Sequence, residues 1–247
     1  MPTARRSLAT GDYHRYCCNR FNNWYNNVIV AVGGAQGDKE LNTVEAYHFT
    51  TNTWTAQASM PTAREGLAVA VIDHTLYAVG GSANGRALNT VEAYNPATNR
   101  WRGKASMPTA RSDLAVGIVN GTLYAIGGKN GGGALTTNEA YHHWTNTWTA
   151  EPSMLTARSG LAAVGTLFPA LPQLWAFGGD DAHGHILSAV EDYNPKLATW
   201  RKRVGLPTAR TGLAATVFIL QGRPVFYIIG GYDGVDLNTV ESLWVQN

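Results

Sequence analysis

Along residues 64–81 the apolar positions gather into two short runs with a polar break between them. Leu67-Ala68-Val69-Ala70-Val71-Ile72 is followed by Asp73-His74, then by Thr75-Leu76-Tyr77-Ala78-Val79 and the doublet Gly80-Gly81. Two runs of this length, rich in β-branched and aromatic residues and joined by two polar residues, predict a tight β-hairpin. Asn120-Gly121 stands at the matching turn further along, the pair best suited to positive φ at both central positions. Both runs are almost continuously apolar, so both faces of these strands are expected to be covered by neighbouring sheets. After a polar loop from Ser82 to Ala87, the run Thr90-Val91-Glu92-Ala93-Tyr94 alternates, with one drier and one wetter side. Asn95-Pro96-Ala97-Thr98-Asn99 reads as a turn, its proline lacking a ladder donor. Arg100-Trp101-Arg102 is then a short outer strand whose cationic flanks discourage pairing with a foreign edge. No stretch sustains a helical period.

This pattern occurs five times. Met-Pro-Thr-Ala-Arg is read at 1–5, 60–64 and 107–111, at 154–158 with Leu155 for proline, and at 206–210 with Leu206 for methionine. The glycine doublets Gly33-Gly34, Gly80-Gly81, Gly127-Gly128, Gly178-Gly179 and Gly230-Gly231 keep step at intervals of 47, 47, 51 and 52 residues. A unit of this size cannot bury its own apolar face, so repetition at this period predicts small sheets stacked side by side. The doublet is followed by a Glu (Glu45, Glu92, Glu139, Glu191, Glu241), a Tyr two residues on (Tyr47, Tyr94, Tyr141, Tyr193) and a Trp nine residues after the Glu (Trp54, Trp101, Trp148, Trp200). Together these resemble the kelch repeat, over the whole chain apart from residues 10–27. The resemblance implies an all-β fold, a β-propeller of five kelch-type blades, each a four-stranded antiparallel sheet, around a central channel. As a single domain over 1–247, its blades fall approximately at 1–59, 60–106, 107–153, 154–204 and 205–247.

The chain departs from the pattern at both ends. The last repeat has Leu243 in place of the Tyr and stops at Asn247 before any outer strand. In the first repeat 28 residues separate Arg5 from Gly33, against 16 between Arg64 and Gly80. The surplus, Thr10 to Asn27, carries Tyr13, Tyr16, Cys17-Cys18, Phe21, Trp24 and Tyr25 among Asn and Arg. Two readings stand: this segment supplies the strand missing from blade five and closes the ring, or it is a loop with no closing role. The first repeat begins at its boundary methionine, which also fits a piece of a longer propeller.

Composition narrows the function classes. Charged residues are 15% of the 247 and the net charge is +2, with the positives spread among repeats, so no nucleic-acid-binding patch is expected. No apolar run follows a basic start, so no signal peptide is expected, and a cytoplasmic location is favoured. The uncharged stretch Leu161 to Gly179 has the length of a membrane span but contains Pro169 and Pro172, and it coincides with a strand hairpin, so it is read as core. Cys17 and Cys18 are the two cysteines; adjacent residues rarely reach disulfide geometry, so no disulfide framework is expected.

Repetition separates folding from recognition. Residues identical in every blade meet a need that every blade shares. The Gly doublets permit backbone shapes that a side chain forbids, the Tyr and Trp pack between blades, and Arg5, Arg64, Arg111, Arg158 and Arg210 are expected to form charge-assisted hydrogen bonds with the repeated Glu. Residues that vary are free to recognise something asymmetric. They stand just after each Arg (Arg6, Glu65, Ser112, Ser159, Thr211) and just after each doublet (Gln36; Ser82 and Asn84; Lys129 and Asn130; Asp180 and Asp181; Tyr232 and Asp233). In the kelch adaptors of ubiquitin ligases, which these repeats resemble, matching positions line one mouth of the propeller and grip partner peptides. The extra arginines of those adaptors are mostly absent here.

Asp180, Asp181, His183 and His185 form a dense loop of carboxylates and imidazoles whose chemistry suits a transition metal or acid–base work, although a solvated polar loop is the commoner use. No phosphate loop, nucleophile elbow or zinc spacing is present. The leading expectation is therefore a non-enzymatic module that binds a protein or peptide partner at the loop-lined mouth, with no cofactor, nucleic acid or membrane. Two rivals are an enzyme or carbohydrate binder using the same mouth, and a truncated or engineered repeat scaffold without a selected ligand.

Overall fold

The computed structural model of the chain describes residues 1–16, 25–166 and 172–244, with the backbone alone for 12–16 and 25–27. The described residues form strands and turns, without a helix, and fall into two compact units, Met1–Ser112 and Asp113–Asn247. The fold is all-β, a run of five β-propeller blades.

Unit one holds two four-stranded antiparallel sheets. Blade one is built from Ala9–Tyr16, Tyr25–Val32, Val44–His48 and Thr53–Ala56, and blade two from Ala68–Ile72, Thr75–Val79, Val91–Asn95 and Arg100–Gly103. The hairpin turn read from the sequence is present: Ile72 faces Thr75 across it, and Asp73 and His74 both take positive φ, 45° and 60°. Val30, Val32, Val44 and Ala46 of blade one pack with Met60, Leu67, Leu76, Ala78 and Tyr94 of the next repeat.

Among the described residues unit two holds three blade sheets and a small two-stranded sheet, Lys129–Asn130 with Gly133–Ala134. Blades three and four are four-stranded, from Ala115–Val119, Thr122–Ile126, Asn138–His142 and Thr147–Glu151, and from Ala162–Thr166, Gln173–Phe177, Val190–Asn194 and Thr199–Lys202. Blade five has three strands, Ala214–Leu220, Arg223–Ile229 and Val240–Trp244. Asn120 and Gly121 again pair positive φ angles of 51° and 74°. Trp175, Phe177 and Val190 of blade four pack with Leu213, Phe226 and Ile228 of blade five. No helix among the described residues is long and apolar enough to cross a membrane, and the stretch Leu161 to Gly179 supplies two paired strands of blade four.

Ala9–Tyr16 pairs antiparallel with Tyr25–Val32, so the described part of the surplus extends the first hairpin of blade one; its remainder, residues 17–24, lies outside the described residues. The expected covering of the hairpin runs is not met at Phe218, Ile219 and Ile229 of blade five, which are exposed. Cys17, Cys18 and Pro169 lie outside the described residues.

Candidate functional site

The repeated residues form a clasp in blades one, two, four and five. The Arg64 guanidinium donates to Glu92 at 3.0 Å, to the Thr90 carbonyl at 3.0 Å and to the Ala78 carbonyl at 3.2 Å. Arg5 meets Glu45 at 2.7 Å, Arg158 lies 3.6 Å from Glu191, and Arg210 donates to Glu241. Arg111 and Glu139 are as deeply buried as their counterparts. Burial disfavours the cation, which lowers the Arg64 pKa to about 10 despite Glu92 beside it; burial lowers Arg5 and Arg158 for the same reason. The doublet glycines serve this joint. Gly34, Gly128 and Gly179 donate their N–H to the carbonyls of Arg64, Arg158 and Arg210 in the following repeat at 2.8–3.0 Å. A Cβ on Gly33 would stand 2.7 Å from the Arg64 carbonyl oxygen, at a φ of +62°. Only glycine fits both demands.

The Tyr–Trp pairs fasten the outer halves. Ring centroids lie 5.1 Å apart for Tyr94–Trp101 and 5.2 Å for Tyr193–Trp200. Their polar atoms are satisfied: Tyr94 donates to Gln57 and Asn99, Tyr193 donates to Glu151, and the indoles of Trp101 and Trp200 donate to the Ala58 and Pro152 carbonyls. Burial, with Glu151 nearby, pushes Tyr124 up to about 12 and raises Tyr193.

The varied residues lie at one end of each blade, where the two stretches read from the sequence meet. Isolated bridges join Arg6 to Ala35 and Glu65 to Ser82 in unit one, and Ser159 to Asp180 and Thr211 to Tyr232 in unit two. Adjacent blades within a unit are tied there as well: Gly66 donates to the Ser7 carbonyl, Gly160 to that of Asp113 and Gly212 to that of Gly160. In unit one Arg6 approaches Glu65 at 3.8 Å, with Arg6 largely exposed; Gln36 and Asn84 are exposed and Ser82 half-buried. In unit two Lys129 meets Asp113 at 3.0 Å and stays half in solvent, beside half-buried Asn130. Tyr232 and Asp233 are exposed.

Ser112 and Ser159 are buried, at 6% and 2%, so they sit beneath this rim and not on its surface. Asp180 accepts from Ser159 at 2.9 Å and from Thr211 of the neighbouring blade at 2.6 Å. Asp181 accepts from the His183 and His185 backbones and from the His185 ring. These bonds, His185 first, hold its carboxyl down at about 2. The Asp-Asp-Ala-His-Gly-His loop is thus bonded to itself, and among the described residues no three His, Cys, Asp or Glu side chains converge as a metal set.

Sequence reasoning missed a group specific to blade four. Asp192, where three blades carry Ala, is fully buried and bonded to Arg203, with Arg201 at 3.6 Å, and Arg203 lies over the Trp175 ring at 5.3 Å. The signal was the acidic residue between Glu191 and Tyr193. A cavity of about 250 Å³ on blade two is lined by Thr75, Tyr77, Asn95, Arg100, Arg102 and Lys104 among others; no rim residue lines it.

Stacked four-stranded sheets with these clasps define the chain as a β-propeller protein of the repeat type. The kelch-repeats domain model described for KLHDC2, KLHL20 and DRC7 matches residues 7–154, and the chain belongs to the kelch-repeat family. It is also similar to alpha-scruin of Limulus polyphemus, 36% identical over 59 residues, which is 24% of this chain and 6% of that protein. The chain thus spans a small fraction of that relative. Kelch propeller domains generally serve as protein-interaction modules.

Proposed function

We propose that this chain is a non-enzymatic binding module that recognises a segment of a partner protein at the rim formed by the varied residues. The observation that carries the reading is the set of bridges from Arg6, Glu65, Ser159 and Thr211 to the residues after each doublet. They hold differing side chains on stiff backbone, so little conformational freedom is lost on binding. In unit one exposed Arg6 supplies a cation and Glu65 an acceptor; in unit two exposed Lys129 supplies a cation, Tyr232 an aromatic and Asp233 an acceptor. That mixture suits a polar, hydrogen-bonding segment with an apolar anchor for Tyr232, more than a uniformly acidic one.

The test is affinity capture from cell extract with the wild-type chain and with Arg6→Ala/Lys129→Ala/Tyr232→Ala, after matching unfolding midpoints establish that the variant is folded. Specific partners are expected to be lost from the variant. Equal recovery with both proteins would overturn the rim as the binding surface.

A further inference from the structure

The outer strand of blade two places Arg100, Arg102 and Lys104 at alternate positions, so all three turn to one face of the sheet. Leu76 and Tyr94 of this blade pack in the core shared with blade one. Tyr77 and Ala93, one step along the same strands, turn the other way together with Arg102, which stands opposite Ala93. These side chains and Asn95 line the cavity of about 250 Å³. Tyr77 is its buried part, Arg100 and Arg102 are exposed, and Lys104 is half-buried.

The matching positions read differently in the other blades. Blade one has Thr53, Thr55 and Gln57, with Thr55 bonded to His48 and to Gln57 at 2.8 Å. Blade three has Thr147, Thr149 and Glu151, with Thr149 bonded to His142 at 3.0 Å. Blade four has Thr199, Arg201 and Arg203, and buried Asp192 faces both arginines. In blade two Ala93 holds the position of Asp192, and among the described residues no carboxylate pairs with Arg100, Arg102 or Lys104. Burial and then Asp73 raise the Tyr77 pKa, but Asp73 does not line the cavity. Protection of the sheet edge does not require these cations, since threonines stand there in blades one and three.

We propose that this face of blade two binds a compact oligophosphate, a small solute or headgroup with two or three phosphates on a short frame. At about 3.4 Å per residue, alternate cations stand roughly 7 Å apart, which suits a row of phosphates and is too wide for a single one to meet all three. Each arginine fork meets phosphate oxygens in pairs, and the lysine adds a point charge. Asn95 accepts from Ala97 and Thr98 through its Oδ1, which leaves its amide N–H groups as further donors. A nucleic-acid strand fits less well, because the net charge is +2 and the aromatic ring of the lining, Tyr77, is buried and offers a base no stacking platform. The site is independent of the rim.

The probe is tripolyphosphate, titrated into the full chain and followed by calorimetry. Saturable one-to-one binding is expected, about tenfold or more tighter than that of inorganic phosphate, and weaker as salt is raised. Arg100→Gln/Arg102→Gln, at two exposed positions, lowers the affinity about tenfold or more with an unchanged unfolding midpoint, whereas Arg201→Gln in blade four leaves it unchanged. Ala93→Asp gives blade two the counter-charge of blade four and abolishes binding while every cation remains. If Ala93→Asp does not fold, the double arginine variant decides. Vesicles of phosphatidylcholine with a phosphatidylinositol bisphosphate assign the source: capture by them that the double variant loses supports a headgroup, and no capture supports a free solute. Failure of tripolyphosphate to bind, equal affinity for inorganic phosphate, undiminished binding by Arg100→Gln/Arg102→Gln, or tighter binding of a short single-stranded oligonucleotide would each overturn the proposal.

Discussion

Replacing Glu92 with glutamine keeps the shape of the clasp in blade two and removes the charge that faces Arg64. The guanidinium has no exposed side-chain surface, and the Glu92 side chain only 6%. Glu92 also accepts from the Thr62 hydroxyl at 2.8 Å. An exposed pair of this kind contributes about 1 kcal/mol or less, whereas removing one member of a buried pair strands the other charge at a cost of about 3–5 kcal/mol. Glutamine still offers Arg64 an acceptor, so Glu92→Gln is expected near the lower end, about 3 kcal/mol, and Glu92→Ala above it. Arg64→Met alone leaves a buried carboxylate; in the Glu92→Gln background it removes the remaining charge. The two changes together should therefore cost less than their sum by about 2–3 kcal/mol. Urea unfolding followed by both tryptophan fluorescence and far-ultraviolet circular dichroism measures this, with coincident curves checking two-state behaviour. Losses below about 1 kcal/mol for both Glu92 variants, or an additive cycle, would refute the clasp.

Two further changes probe single contacts. A Cβ on Gly165 would stand 1.8 Å from the Ile118 carbonyl oxygen of the neighbouring blade, while one on Gly103 meets nothing within 4 Å; Gly165→Ala is expected to cost about 3 kcal/mol and Gly103→Ala little, and equal melting temperatures would contradict the close approach. The Asp181 carboxyl, held at about 2 against its usual 3.8 by His185, supports its loop above pH 3.8 and loses that support as pH falls through about 2. Carboxyl-carbon NMR should show the Asp181 pKa rising toward 3.8 in His185→Ala; a wild-type carboxyl already titrating there would contradict the bonded loop.

What could be read from the sequence was what the chain encodes locally and repeats. Asn120-Gly121 announces its turn by backbone preference alone, and the apolar runs ending in Gly-Gly announce paired strands. The Arg–Glu clasp was legible because both members recur together. Contacts that depend on neighbouring blades were not. Nothing near Gly165 in sequence says that Ile118 will press on it, nor that Asp180 will take a hydroxyl from Thr211. The burial of Ser159 hides in the same way, since its position varies as a contact residue's would. The strand character of the surplus before Gly33 was not legible because its partner lies within the surplus itself: Tyr16 pairs with Tyr25.

The division of labour between repeated clasps and varied rim is tested most directly by a photo-cross-linking map. A benzophenone side chain is placed in turn at Tyr232 and Lys129 on the rim, and at Arg100 and Trp144 on exposed outer turns and strands. The rim positions should capture partner protein and the outer positions should not. Capture from Arg100 or Trp144, with silence at Tyr232 and Lys129, would contradict it.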